Sequence, residues 1–458
     1  MKWYKKTPDS LIIVASILVL FTVLTWIIPA GAYDRELVGS RSFVVPGTYH
    51  EVEQSHQSIG ALLQAPIHGF TSASEIIAFV LLVGGAFAMM TATGALDAFL
   101  FRILKIARSK PSMKLWIIAI LMCVFSIAGM TFGMSEETLV FVLLTIPLAK
   151  SMGYDSIVGM AIPFVGAGVG FAGAAFNPFT VGIAQGIAEL APFSGFGYRL
   201  AVGAVFTLIA ILFVCRYASR IDSGKVKPFF GTSVEHKEVE EKQLTLARGI
   251  ILFLFLASLV AIIVGAIKLD WYIPEICALF LSLGVLSSII SRAGATKAVE
   301  SFYEGVKAMI PAAIIIGLSK SILVVADDGQ IIDTMLFTVA SSVEGLPRAV
   351  SVQLMFFIQG FINFFIPSGS GQAAITMPIM TPLSDILGIS RQTAVLAYQF
   401  GDGLFNMVIP TSGVTMGILS IAGIPFNIWI KWIWKLMLIL IVVSMLFLVL
   451  PTGVFEWN

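Results

Sequence analysis

Apolar residues arrive in this chain in runs of membrane-spanning length, not in the alternating or one-faced patterns of soluble folds. Such runs fall at about 10–29, 74–101, 198–216, 249–267, 273–291, 307–326 and 432–450, close to the roughly 20 residues that a helix needs to cross a bilayer. Two longer regions, 115–150 and 350–387, are interrupted midway by small and polar residues. Each reads as a hairpin that enters the membrane and leaves by the same side. Two more, 153–190 and 391–423, read as spanning helices broken at centres rich in Gly, Pro and Asn.

The last of these is the most telling. From Gly401 to Gly413 it carries Asp402, Asn406, Pro410 and three glycines, with apolar helical sequence on both sides. Glycine weakens a helix and proline removes a backbone donor. Broken backbone survives at membrane depth only where protein or a wet cavity satisfies the freed N–H and C=O groups. Secondary transporters build their sites that way.

Composition agrees with the runs: 58% of the 458 residues are hydrophobic and 12% charged, with a mean hydropathy of +0.95. Soluble domains carry about 25% charged residues, so the chain reads as an integral membrane protein. A net charge of +1 and the lack of a basic cluster or aromatic platform give no reason to expect nucleic acid. Cys123, Cys215 and Cys277 all fall in apolar runs and read as small core residues. No cleavable signal is evident, and the first run reads as a retained helix.

Lys and Arg orient the chain. With the N-terminus cytoplasmic, 21 of the 28 basic residues fall inside, including the set from Arg102 to Lys114 and those of 216–248; six fall outside, and Lys320 lies within a helix. This satisfies the positive-inside rule and puts the C-terminus outside. The polar insert 30–70 becomes an external loop. Four Trp residues near span ends, Trp26, Trp271, Trp429 and Trp434, read as interfacial anchors.

The halves repeat. Gly94 matches Gly329, Ser135 matches Ser370, Pro147-Leu148 matches Pro382-Leu383 and Gly153 matches Gly388, all at an offset of 235 residues. After a two-residue adjustment, Gly168-Val169-Gly170 overlays Gly401-Asp402-Gly403. One register held over this distance points to an internal repeat, and the charge-derived topology makes it inverted. The first repeat is 1–217, followed by a cytoplasmic linker 218–248, a joining helix 249–267 and a second repeat 273–458. The expected fold is therefore an all-α integral membrane protein, an inverted-repeat secondary transporter with two re-entrant hairpins and two broken transmembrane helices.

Four interruptions then converge and supply the candidate site: Ser135, Glu136 and Glu137 at the first hairpin tip, and Ser368, Ser370 and Gln372 at the second. Asn177, Pro178 and Thr180 come from the first break, and Asp402, Asn406, Pro410, Thr411 and Ser412 from the second. Helix N-termini attract anions, carbonyl ends attract cations, and these hydroxyls and amides suit a carboxylate or a sodium ion. A carboxylate at membrane depth is costly unless paired or functional. Asp402 is expected to hold the substrate's cationic group or a coupling cation, with the backbone opening at its flanking glycines. The alternative is a structural pair with Lys320, which could instead meet Asp327. Glu136 and Glu137 could also sit in the cytoplasmic mouth or cap the second hairpin arm through Ser135.

Other patterns carry less. Gly168 to Gly173 fits a dinucleotide fingerprint but follows no strand. The spacings Gly129–Gly133, Gly166–Gly170 and Gly413–Gly417 permit close helix approach. His50, His56, His68 and His236 are scattered and suggest no metal site. There is no Walker motif, nucleophile–base pair or metal-ligand cluster, so an enzyme or ATP-driven pump is not expected, nor any cofactor beyond a coupling Na+ or H+.

The first helix ending Trp26-Ile27-Ile28-Pro29-Ala30-Gly31-Ala32-Tyr33-Asp34-Arg35, the tip Gly133-Met134-Ser135-Glu136-Glu137-Thr138 and the later Pro410-Thr411-Ser412-Gly413 resemble the YfcC-like carriers. These are relatives of the anaerobic C4-dicarboxylate carriers within the ion transporter superfamily. The resemblance implies a prokaryotic inner-membrane homodimer in which a transport part moves against a scaffold by an elevator-like motion. It does not carry a sodium site over, because the tips lack the Ser-Asn-Thr of related dicarboxylate symporters. Its substrates divide between basic amino acids and C4-dicarboxylates. The carboxylates of the candidate site favour a basic or other amino acid, with a C4-dicarboxylate as the alternative substrate. A channel or membrane receptor is the alternative of another class.

Overall fold

The computed structural model describes residues 10–38, 41–45, 47–99, 102, 113–191, 193–229, 243–269, 271, 273–341, 346–453 and 457. The chain is nearly all helical there. In the first half lie α1 (Ser10–Leu24), α2 (Ile59–Ser72), α3 (Ser74–Ala92), α4 (Met113–Phe132), α5 (Thr138–Ser151), α6 (Ser156–Gly173), a π turn Pro178–Gly182, α7 (Ile183–Ile187) and α8 (Phe196–Asp222). After them come α9 (Leu246–Lys268), α10 (Ile273–Ile290), α11 (Ala295–Asp328), α12 (Ile332–Ser341), α13 (Arg348–Phe365), α14 (Gly369–Ile386), α15 (Arg391–Phe405), α16 (Gly413–Ala422) and α17 (Phe426–Gly453). Among the described residues, eight helices (α3, α4, α6, α8, α10, α11, α13 and α17) are long and apolar enough to cross a membrane.

Several expected boundaries move. The insert 30–70 is not a plain loop: it holds two short antiparallel strand pairs and the helix α2. The run 307–326 is the later part of the 34-residue α11. The run 74–101 stops as a helix at Ala92, where Gly94 turns with a φ of +72°. Of the expected linker, 218–222 belongs to α8 and 246–248 to α9, while 230–242 lie outside the described residues, as do 103–112 of the basic set and the first nine residues.

Two helices run through the centre. Almost every side chain of α6 and α15 is buried, and the two touch where a Cβ at Gly403 would meet the Ala172 Cα at 2.6 Å. Around them α4 packs on α6 and α13 on α15, while α5 meets α16 and α14 meets α7. Backbone contact makes this packing possible. A Cβ at Gly170 would collide with the Ser126 carbonyl of α4, and one at Gly401 would lie 2.8 Å from the Gly360 nitrogen of α13. A second group of helices forms around α11, which packs against α1, α2 and α3; α3 also packs against α10.

The segment after α1 fastens to the far end of α11. Asp333, buried at the start of α12, accepts the Tyr33 backbone N–H at 3.0 Å and the Arg35 guanidinium at 2.9 Å. Tyr49 donates to Thr334 at 3.1 Å and stacks on Phe337 with ring centroids 4.1 Å apart.

Candidate functional site

At the first hairpin turn, Gly133 takes a φ of +74°, which frees α4 to end and the chain to double back into α5. The buried Glu137 holds this turn, its Oε2 accepting the Ser135 N–H at 3.1 Å, while Thr138 Oγ1 donates to the Ser135 carbonyl. At the second turn, Ser368 N–H donates to the Ile366 carbonyl at 2.8 Å, and the Ser368 carbonyl accepts from Gln372 N–H at 2.7 Å.

The helix breaks come close to both turns. After Gly173 the chain restarts under a cap in which Asn177 Oδ1 accepts from Phe179 N–H at 2.9 Å. After Phe405 it restarts at α16, capped by Ser412 Oγ on the Thr415 N–H at 3.3 Å. Carbonyls freed in this second break find donors: Thr415 Oγ1 serves Asn406, and Trp429 Nε1 serves Met407 at 2.8 Å.

A cavity of about 190 Å³ opens between the two turns and the two breaks. Ser135, Glu136, Thr180, Ser368, Ser370, Asn406, Thr411 and Ser412 line it, so eight of the expected site residues meet there. Lys320 reaches it from α11, together with Ser319, Ile316, Phe171 and Phe179. The hydroxyls of Thr180, Ser319 and Thr411 are buried without a partner among the described residues.

Asp402 lies behind the cavity, not on its wall. Its Oδ1 accepts from Asn363 Nδ2 at 2.7 Å and from Asn406 Nδ2 at 2.9 Å. Its Oδ2 is buried with no partner among the described residues. A Cβ at Gly369 would meet that oxygen at 2.8 Å and Thr180 Cγ2 at 2.5 Å, so Asp402 and Thr180 flank the first residue of α14. Asn363 also donates to Gln372 Oε1 at 3.1 Å, and Gln372 Nε2 donates to Gln359 Oε1 at 2.7 Å. Tyr398 closes the floor with a 2.6 Å bond to the Gly369 carbonyl. A buried carboxyl oxygen without a protein partner among the described residues suits a small hard cation or a proton.

Glu137, Asn177, Gln372 and Pro410 sit off the cavity wall. Glu137 and Asn177 shape the turn and the cap, Gln372 belongs to the amide network, and Pro178 and Pro410 lie at the restarts. The backbone does not open at Gly401 and Gly403. α15 runs on to Phe405, and these glycines serve contact with α13 and α6 instead. Lys320 pairs with neither Asp402 nor Asp327 among the described residues. Trp429 is not an interfacial anchor but fully buried, and Cys123 is exposed on α4, not in the core. Asn363, Gln359, Tyr398 and Ser319 escaped sequence reading because each is an uncharged polar residue within a helix and not at one of the Gly/Pro interruptions. Only Asn363, four residues before Pro367, carried a usable hint.

Comparison with known proteins fixes the family. The model of the C4-dicarboxylate anaerobic carrier family, DcuC, matches residues 7–453. The chain belongs to the DcuC family. Within it, this DcuC-family protein is 33% identical over 468 residues to YfcC of Escherichia coli (strain K12), provisionally named a basic amino acid antiporter, covering 93% of this chain and 92% of YfcC. It is 28% identical over 514 residues to an uncharacterised protein of Haemophilus influenzae, covering 99% of both. A solved structure of MtrF from Neisseria gonorrhoeae is 17% identical, covers 99% of this chain and 97% of MtrF, and superposes with a TM-score of 0.44. This DcuC-family chain is a multi-pass membrane transporter and not an enzyme.

Proposed function

We propose that the chain is a secondary active transporter of a small organic ion, in first place an amino acid, and that the cavity between the two hairpin turns is its substrate site. The observation that carries this reading is the meeting of both turns and both helix breaks on one small polar cavity inside an apolar helix bundle. The name of its relative YfcC supports the amino acid. A C4-dicarboxylate is the second reading, favoured by the family description and by Lys320 on the cavity wall.

The architecture behind this reading is the inverted repeat of 1–217 and 273–458, with re-entrant hairpins and broken transmembrane helices. Its support is the reciprocity of contacts: α4 on α6 recurs as α13 on α15, and α5 with α16 recurs as α14 with α7. Gly153 and Gly388, which match in the repeat, both end a hairpin arm with positive φ, +90° and +63°. The helices around α11 act as scaffold, and α4–α8 with α13–α17 as the part that moves. Asp402 carries the coupling cation, sodium or a proton, because it stands one layer behind the substrate cavity with an oxygen left over. The working unit is a homodimer in the inner membrane with a cytoplasmic N-terminus.

Counterflow in proteoliposomes tests the substrate. Vesicles preloaded with arginine, ornithine, a neutral amino acid or succinate are given labelled substrate with and without a sodium or proton gradient. Saturable amino acid exchange is expected. Succinate exchange with no amino acid exchange would replace the first reading by the second, and flux that never saturates would point to a channel.

A further inference from the structure

Glu136 and Lys320 place one acidic and one basic side chain on the same small cavity. They form no contact ion pair among the described residues, although both line this one cavity. A gap therefore separates them. Around it stand the unpartnered hydroxyls of Thr180, Ser319 and Thr411, whose residues are at most 4% exposed. The helices α14 and α16 begin at Gly369 and Gly413, both on the cavity wall, so two positive helix ends also face it. The remaining wall is partly apolar, through Phe171, Ile316 and Leu323.

This arrangement discriminates by charge pattern. A dianion would satisfy Lys320 and meet Glu136, and a diamine would do the reverse. A molecule with adjacent opposite charges satisfies both at once and leaves neither buried charge exposed to a like one. We propose that the gapped pair is a clamp for the head group of a free α-amino acid. Glu136 takes the ammonium, Lys320 takes the carboxylate with help from the helix ends, and the side chain lies along the apolar wall. The cavity, at about 190 Å³, is smaller than the roughly 300 Å³ at which drug-sized pockets begin, which fits one free amino acid and not a peptide. The clamp rests on the transporter reading above and adds to it which part of the substrate is read.

The test is competition against a labelled amino acid in proteoliposomes holding the full-length protein. The competitors are the same amino acid free, N-acetylated or decarboxylated to its amine, together with succinate. The free amino acid is expected to compete at least about tenfold better than either blocked form, as loss of one charged hydrogen-bonding partner implies. Lys320→Met should erase the preference over the amine alone, and Glu136→Gln the preference over the N-acetyl form alone. Lys320→Arg should keep both preferences, which separates a lost contact from a lost fold. The amine or succinate competing as well as the free amino acid, or Lys320→Met keeping its discrimination, would overturn the clamp while leaving a saturable carrier. Wild-type protein that takes up no small organic ion would overturn the clamp and the transporter reading together.

Discussion

Asp402 is held as a functional acid would be. Two amide donors fix Oδ1, and Oδ2 is left without a partner among the described residues, across Gly369 from Thr180. Asp402→Asn can keep the Oδ1 acceptor that both asparagines use and replaces Oδ2 by an uncharged amide nitrogen, so the protein should stay monodisperse. Gradient-driven uptake should fall by at least about tenfold, and its dependence on the coupling cation should vanish. Wild-type gradient-driven uptake by that variant would take Asp402 out of the coupling step. Gly369→Ala puts a methyl 2.8 Å from the free oxygen and 2.5 Å from Thr180 Cγ2. It should lower uptake as far as Asp402→Asn does, although it leaves every titratable group in place. At this scale the sequence spoke clearly for the residues that broke an apolar pattern, and eight of fourteen candidates meet on the cavity. It could not separate Asp402 from the wall, because depth behind Gly369 depends on how α14 seats over α15. Asn363 was hidden for a related reason, since its task is to position a carboxylate 39 residues away in sequence.

The elements show which glycines the packing demands. Gly170 meets the α4 backbone, which cannot shift without moving the whole arm, whereas a Cβ at Gly197 in α8 meets nothing within 4 Å. Gly170→Ala should therefore lower the midpoint of thermal unfolding in detergent, by about 1–3 kcal/mol of overpacking. Gly197→Ala should be neutral or raise it by the roughly 0.5–1 kcal/mol that separates the two residues in a helix. Equal effects at the two sites would mean that helix propensity and not backbone contact decides. The spans themselves were legible because apolar length is a strong signal. The helix α2 was not, because Gly60, Pro66, His68 and Gly69 interrupt it. It forms against α11, and a Cβ at Gly69 would collide with the Ser321 side chain there. Trp429 was misread for the opposite reason: it stands near the end of an apolar run, and only the broken backbone at Met407 explains why its indole turns inward.

For the molecule as a whole, the question is whether the hairpin-bearing part slides against the helices around α11. The segment after α1 and α12 are tied together at Asp333, which joins two stretches about 300 residues apart. Asp333→Ala leaves the Tyr33 N–H and the Arg35 charge without their partner and should cost about 1–3 kcal/mol of stability, read as a lower unfolding midpoint. Substrate affinity should not change, because none of these groups reaches the cavity. If the parts slide as proposed, the surface between them includes the place where α16 packs on α11. A Cβ at Gly413 would lie 3.4 Å from the Ile316 Cα, with both branches of the Ile316 side chain at 3.5 Å. Cysteines at these two positions therefore fall within the roughly 3.5–4.5 Å between Cβ atoms that a disulfide spans. In a background with Cys123, Cys215 and Cys277 replaced, oxidation of Ile316→Cys/Gly413→Cys should stop counterflow completely and reduction should restore it, while either single variant stays insensitive to oxidant. Both positions line the cavity, so the reduced double variant is the reference for substrate binding and exchange. Oxidised double variant that exchanges substrate at the reduced rate would show that α16 and α11 never part, and the elevator-like motion would have to be given up for a gate that opens within the hairpins.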